Sequence, residues 1–109
     1  MVNGLRAITG APVFTYVLGS SSYSLSETEA FDLLSAADTS GYPMGASTAS
    51  GSNQTPNDCG IPYGHAFSIL TTFTMSGTKM IMLRDPFGST GYNGLWHKGD
   101  TAWTDALVA

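Results

Sequence analysis

Along residues 27–38 the apolar positions Ala30, Leu33, Leu34 and Ala37 recur at i, i+3, i+4 and i+7, the spacing of one face of an α-helix. Ser26-Glu27-Thr28-Glu29 stands at the head of that run as a capping box: the Ser hydroxyl and the Glu carboxylate each satisfy a free amide. Gly41-Tyr42-Pro43 stops the helix. Further on, residues 65–73 (His-Ala-Phe-Ser-Ile-Leu-Thr-Thr-Phe) and 79–84 (Lys-Met-Ile-Met-Leu-Arg) are rich in strand-forming types, with Met75-Ser76-Gly77-Thr78 as a turn between them. Two such runs joined by a short loop predict an antiparallel hairpin. Shorter apolar runs predict strands at 13–18 and 44–48, and helical turns within 1–12 and 101–107. Residues 20–22, 49–58 and 88–100 read as loops, the second exposed and mobile, the third held by its aromatics. The order β-α-β-β-β predicts an α+β fold of antiparallel β-hairpins, one main amphipathic helix and long loops. Residues 1–109 make one domain.

The hairpin brings two chemistry-bearing residues together. His65 begins its first strand and Asp85 follows its second, so the two sit at the same open end. Directly opposed residues have Cβ atoms roughly 4.5–5.5 Å apart, within reach of an imidazole–carboxylate hydrogen bond. A turn centred on Ser76-Gly77 offsets the pair slightly, leaving a bulge or a diagonal contact as alternatives. An imidazole with one nitrogen held by a fixed acceptor is the base-and-orienter half of a nucleophilic site. Both side chains are expected to be at least partly exposed. In a purely structural role His65 is a satisfied strand-end histidine, and Asp85 braces the turn at Pro86.

Composition narrows the function classes. The chain has 109 residues, 42% hydrophobic and 11% charged, with a net charge of −4. That content suits a loop-rich globular domain with a modest core. The four basic residues form no cluster, which argues against a nucleic-acid partner bound through a basic surface. No apolar run approaches the roughly 20 residues of a membrane span. One cysteine, Cys59, makes no internal disulfide and suits a reducing, cytoplasmic setting. A Gly-x-Ser-x-Gly elbow, which a serine esterase would need, does not occur.

Several segments together resemble the calpains, cysteine proteases of the papain fold. Gly64-His65-Ala66-Phe67-Ser68 is similar to their Gly-His-Ala-Tyr-Ser, and Arg84-Asp85-Pro86-Phe87-Gly88 to their Arg-Asn-Pro-Trp-Gly. Tyr92-Asn93-Gly94-Leu95-Trp96 resembles the Trp-x-Gly-x-Trp stretch that follows, with Trp103 at a further family tryptophan. Thr9-Gly10 resembles the Leu-Thr-Gly-Gly element, and Tyr42-Pro43-Met44-Gly45-Ala46-Ser47 the Leu-Met-Gly-Cys-Ser strand. The set spans nearly the whole chain in family order.

The resemblance implies the second catalytic subdomain of a thiol endopeptidase, with residues of that subdomain continuing beyond 109. Its catalytic residues would be His65 as general base and acid and Asp85 as orienter, in the place of the family's Asn. Phe87, in the place of a Trp, would shield their contact from water. Gly64 and Gly88 would allow close approach of substrate, the Gly64 carbonyl meeting its backbone. The nucleophilic Cys and the oxyanion Gln belong to an upstream subdomain, so this chain alone would fold without cutting its polypeptide substrate. Cys59, on a loop with no helix start to lower its pKa, reads as a free thiol. Calpains bind calcium, and calcium is possible for the full-length protein. Here Gly91 and Lys98 occupy the aligned ligand positions, and no metal site is expected in this chain. His65, His97, Cys59, Asp58 and Asp85 lack metal-ligand spacing. The alternative reading is a calpain-like interaction module that has lost catalysis, favoured by Asp85 and Phe87.

Overall fold

The computed structural model describes residues 2–18, 25–88 and 91–108. In chain order the elements are α1 (Val2–Thr9), α2 (Glu27–Thr39), β1 (Met44–Ser47), β2 (Ala66–Met75), β3 (Thr78–Arg84) and α3 (Asp105–Val108). The three strands form one antiparallel sheet in the order β1-β2-β3, and the fold is α+β.

The capping box starts α2. The Glu29 amide donates to Ser26 Oγ at 3.2 Å, and the Ser26 amide donates to Glu29 Oε2 at 2.8 Å. At the other end the Ser40, Gly41 and Tyr42 amides donate back to Ala36, Asp38 and Ala37 carbonyls, and Pro43 prevents continuation. The face turned to the sheet holds Ala30, Phe31, Leu34, Ala37 and Asp38. Leu33, read as part of that face, is exposed instead, and Phe31 contributes the larger apolar surface. Lys79 on β3 meets Asp32 at 2.9 Å and lies over the Phe31 ring; both charges are well solvated, so the pair adds little stability.

The hairpin turns at Ser76-Gly77, with Met75 paired to Thr78. Pairing runs regularly to Thr71 opposite Met82 and then shifts: Ile69 faces Leu83 and Ser68 faces Arg84. Leu70 is the extra residue of a β-bulge. An oxygen from α2 reaches the two residues after it: Asp38 Oδ2 accepts from the Thr72 amide at 2.7 Å, Thr71 Oγ1 at 2.8 Å and Thr72 Oγ1 at 3.2 Å. These bonds hold the Asp38 carboxyl below the usual carboxylate range, the Thr72 amide most strongly.

The core is thin. Among the described residues, Ile69 at 8% exposure is the buried hydrophobic and His65 at 5% the buried polar residue. Residues 13–18 do not form the strand that their composition predicts. They run irregularly, with Phe14 80% exposed, because a strand requires a ladder partner and none is offered among the described residues. The loop read at 20–22 lies outside them. α1 is longer than the helical turn expected there, and α3 shorter than the 101–107 turn.

Residues 49–64 are mostly exposed yet extensively bonded. The Gly64 amide donates to the Ala49 carbonyl, Tyr63 to Thr55 and Asn57 to Ile61. Asn57 Oδ1 in turn accepts from the Cys59 and Ile61 amides. In the last segment Asp100 Oδ2 accepts from the Trp96 amide and Oδ1 from the Ala102 amide. The Trp96 and Trp103 rings meet edge-on at 4.9 Å, and Trp103 Nε1 donates to the His97 carbonyl.

Candidate active site

His65 immediately precedes β2, where Thr48 takes both of its backbone groups. The His65 amide donates to Thr48 Oγ1 at 2.9 Å, and the Thr48 amide donates to the His65 carbonyl at 2.9 Å. The same hydroxyl donates to the Pro62 carbonyl at 2.8 Å. A side chain thus replaces the last rung of the β1–β2 ladder, where the chain bends away at Gly64.

The imidazole is fixed as firmly as its backbone. His65 Nε2 lies 2.8 Å from Asp85 Oδ1, with side-chain exposures of 5% and 9%. The expectation of partly exposed side chains is corrected for His65: the Phe67 ring packs against the imidazole edge-on at 4.7 Å, and the Phe87 ring packs on it at 4.4 Å. Extending the Ser68–Arg84 pairing by one residue sets Asp85 across from Phe67, so the His65–Asp85 contact is diagonal.

Asp85 serves two groups with one oxygen. Oδ1 also accepts from the Phe87 amide at 2.9 Å, while the Asp85 carbonyl accepts from the Gly88 amide at 3.1 Å. Asp85-Pro86-Phe87-Gly88 is therefore a β-turn braced by the aspartate side chain. The turn-bracing role and the imidazole-holding role coexist. The His65 hydrogen bond, and after it the Phe87 amide, hold the Asp85 carboxyl below the usual range. Because a carboxylate only accepts, the proton between the two belongs to Nε2, so in the neutral ring Nδ1 is the acceptor nitrogen.

The two glycines differ. At Gly64 (φ +58) a Cβ would collide with the Gly51 carbonyl oxygen, so the glycine is required by the chain itself and not by a ligand's approach alone. At Gly88 (φ +74) no atom lies within 4 Å of a Cβ position, and its backbone conformation alone favours glycine. Phe87 is 64% exposed and covers the pair from the solvent side. Beside it, an open groove of about 220 Å³ is lined by Leu5, Met44, Ala66, Phe67, Ser68 and Pro86, among others.

Cys59 is exposed, on the Asn57 turn, and at no helix start. Among the described residues no three His, Cys, Asp or Glu side chains gather as metal ligands. Gly91 offers no side-chain oxygen, Lys98 brings a cation, and both oxygens of Asp100 are engaged by backbone amides. These residues do not fit a calcium ion. Sequence reading missed Phe67 and Thr48. The signal for Phe67 was its place two residues after His65, on the same strand face; for Thr48 there was none.

A carboxylate-held imidazole at the open end of a hairpin, beside a groove, can act as an oriented base for nucleophilic chemistry. The chain belongs to the calpain family of cysteine proteases, whose sequence profile matches residues 1–107. It is 35% identical over 68 residues to the calpain-type cysteine protease DEK1 of Zea mays, 32% to DEK1 of Arabidopsis thaliana and 34% to the calpain-type cysteine protease ADL1 of Oryza sativa subsp. japonica. Each alignment covers 62% of this chain and 3% of the relative. No solved structure matches the chain. No helix among the described residues is long and apolar enough to cross a membrane.

Proposed function

We propose that this chain supplies the histidine–carboxylate half of a calpain-type endopeptidase site that cuts polypeptides, completed by a cysteine-bearing subdomain of the same protein. The observation that carries this reading is the 2.8 Å His65–Asp85 contact enclosed by Phe67 and Phe87.

In this reading His65 Nδ1 takes the thiol proton, and the imidazolium is stabilised by Asp85. The thiolate adds to the scissile carbonyl, and Nδ1 returns the proton to the leaving amine as the C–N bond breaks. Water then attacks the acyl-enzyme, giving its proton to Nδ1, which passes it back to the departing thiolate. Asp85 holds the tautomer without itself taking the proton, and Phe87 with Phe67 keeps water from the contact. Gly64 would present its carbonyl to the substrate backbone, and Gly88 would leave room beside it. The thiol chemistry suits a reducing, cytoplasmic setting. In this reading no metal ligand set is drawn from the described residues, and a calcium response of the intact protein would arise elsewhere.

The test is cleavage of a casein-type substrate by the intact protein, with and without calcium, beside His65→Ala. Activity abolished by His65→Ala supports the assignment. An intact protein inert in both conditions, with Ser or Gly at the nucleophile position, would instead favour an interaction module.

A further inference from the structure

We infer that Asp38, on α2, is a positioning residue for the His65–Asp85 pair: by holding the β2 bulge at Leu70 it keeps Asp85 on the sheet face of His65. The inference rests on the proposed role of that pair.

Register carries the argument. From the turn to Thr71–Met82, paired residue numbers sum to 153; from Ile69–Leu83 onward they sum to 152. Were the first register continued, Asp85 would stand across from Ser68. Ser68 alternates with His65 and Phe67, and so points to the opposite face. One residue of slip therefore separates a carboxylate beside the imidazole from one on the wrong side of the sheet. The bulge supplies that residue.

The β1–β2 ladder ends at Met44–Ile69, so past Leu70 that edge of β2 has no strand partner among the described residues. Here the Thr72 amide and the Thr71 hydroxyl, just past Leu70, both turn to Asp38 Oδ2. The Thr72 hydroxyl adds a longer contact to the same oxygen. Tied in this way, the end of α2 fixes β2 on the turn side of Leu70, while β1 fixes it on the other side through Ile69; the extra residue is held between the two anchors. Asp38 lies far from the imidazole in sequence and touches neither member of the pair; its influence runs through strand alignment alone. Because one oxygen makes all three contacts, Asn can replace Asp38, whereas Ala cannot.

The test follows the ring N–H of His65 by NMR in the 109-residue chain, which contains two histidines. Held by Asp85 and buried, this proton should exchange slowly in the parent. Asp38→Ala should abolish the slow signal while the amide shifts of α2 and β1 persist, and Asp38→Asn should keep it. Deleting Leu70 gives a decisive background. There the strands pair without an extra residue, with Ile69 across from Leu83 and Thr71 from Met82, and Asp85 falls across from Phe67 unaided. In that background Asp38→Ala should leave the signal in place. If Asp38→Ala fails to fold, Thr71→Val, which removes one of the two short bonds, should speed exchange several-fold. A His65 signal indifferent to Asp38→Ala, or to Thr71→Val, overturns the inference, as does equal loss in the Leu70-deleted chain. A parent chain without a slow His65 signal overturns the pair itself and the inference with it.

Discussion

Thr48 and His65 are joined by a reciprocal pair of hydrogen bonds, each 2.9 Å long. The threonine amide and hydroxyl bond the histidine carbonyl and amide, and the hydroxyl continues to Pro62. Thr48→Val removes the hydroxyl at nearly constant volume and strands two backbone groups. It should cost about 1–2 kcal/mol in urea denaturation. Thr48→Ser should recover most of that loss. A near-neutral Thr48→Val beside a costly Thr48→Ser would show that the methyl, and not the hydroxyl, is what the site uses.

Acid should loosen the molecule in a defined window. Glu29, Asp38, Asp85 and Asp100 all sit below their ordinary values, each through hydrogen bonds to the ionised form. A carboxyl lowered in the folded state contributes stability that is fully present above its unfolded pKa, about 4. That contribution is lost as pH falls through the folded value. Unfolding free energy should therefore decline below about pH 4, and the decline should be shallower in Asp85→Asn and Asp38→Asn. A variant with the parent's slope would mean that its carboxylate gains nothing from folding.

The two rings around His65 should separate on substitution. Phe67 is half-buried, and Phe67→Ala should cost about 2 kcal/mol as well as speeding ring-proton exchange at His65. Phe87 is mostly exposed; Phe87→Ala should speed exchange with a much smaller stability change. Denaturation paired with NMR exchange distinguishes the two. Slow exchange after Phe87→Ala would remove its role as a water shield.

Gly64→Ala should be the more damaging glycine change. It meets the Gly51 carbonyl in addition to an unfavourable φ, and should exceed about 2 kcal/mol. Gly88→Ala meets no neighbour and should cost about 1 kcal/mol. Thermal melts of the two variants suffice. A reversed order would place the close approach at Gly88 instead.

What could be read from residue order was whatever depends on neighbours in the chain. Ser26 and Glu29 announce α2 because a capping box is closed within four residues. Ser76-Gly77 announces the hairpin, and with it the meeting of His65 and Asp85. What escaped depends on distant partners. Nothing around Leu70 marks it as an extra residue; its status is settled by a carboxylate on another element. Thr48 looks like the end of a strand until the bend at Gly64 leaves the His65 amide seeking an acceptor. Residues 13–18 carry strand chemistry, yet composition supplies no ladder. His65 reads as exposed because Phe87, which covers it, arrives by way of the Asp85 turn.

The shared oxygen of Asp85 has an evolutionary corollary. Imidazole and turn amide both draw on Oδ1, and neither contact calls on the second oxygen. An amide side chain carries one carbonyl oxygen and could meet both demands. Acid and amide are thus exchangeable at this position as far as shape is concerned, so the Asn of the calpain pattern and the Asp of this chain can descend from one another by a single substitution without passing through a collapsed turn. What changes along that path is the charge beside the imidazole, a dial that selection can turn while the scaffold stays still.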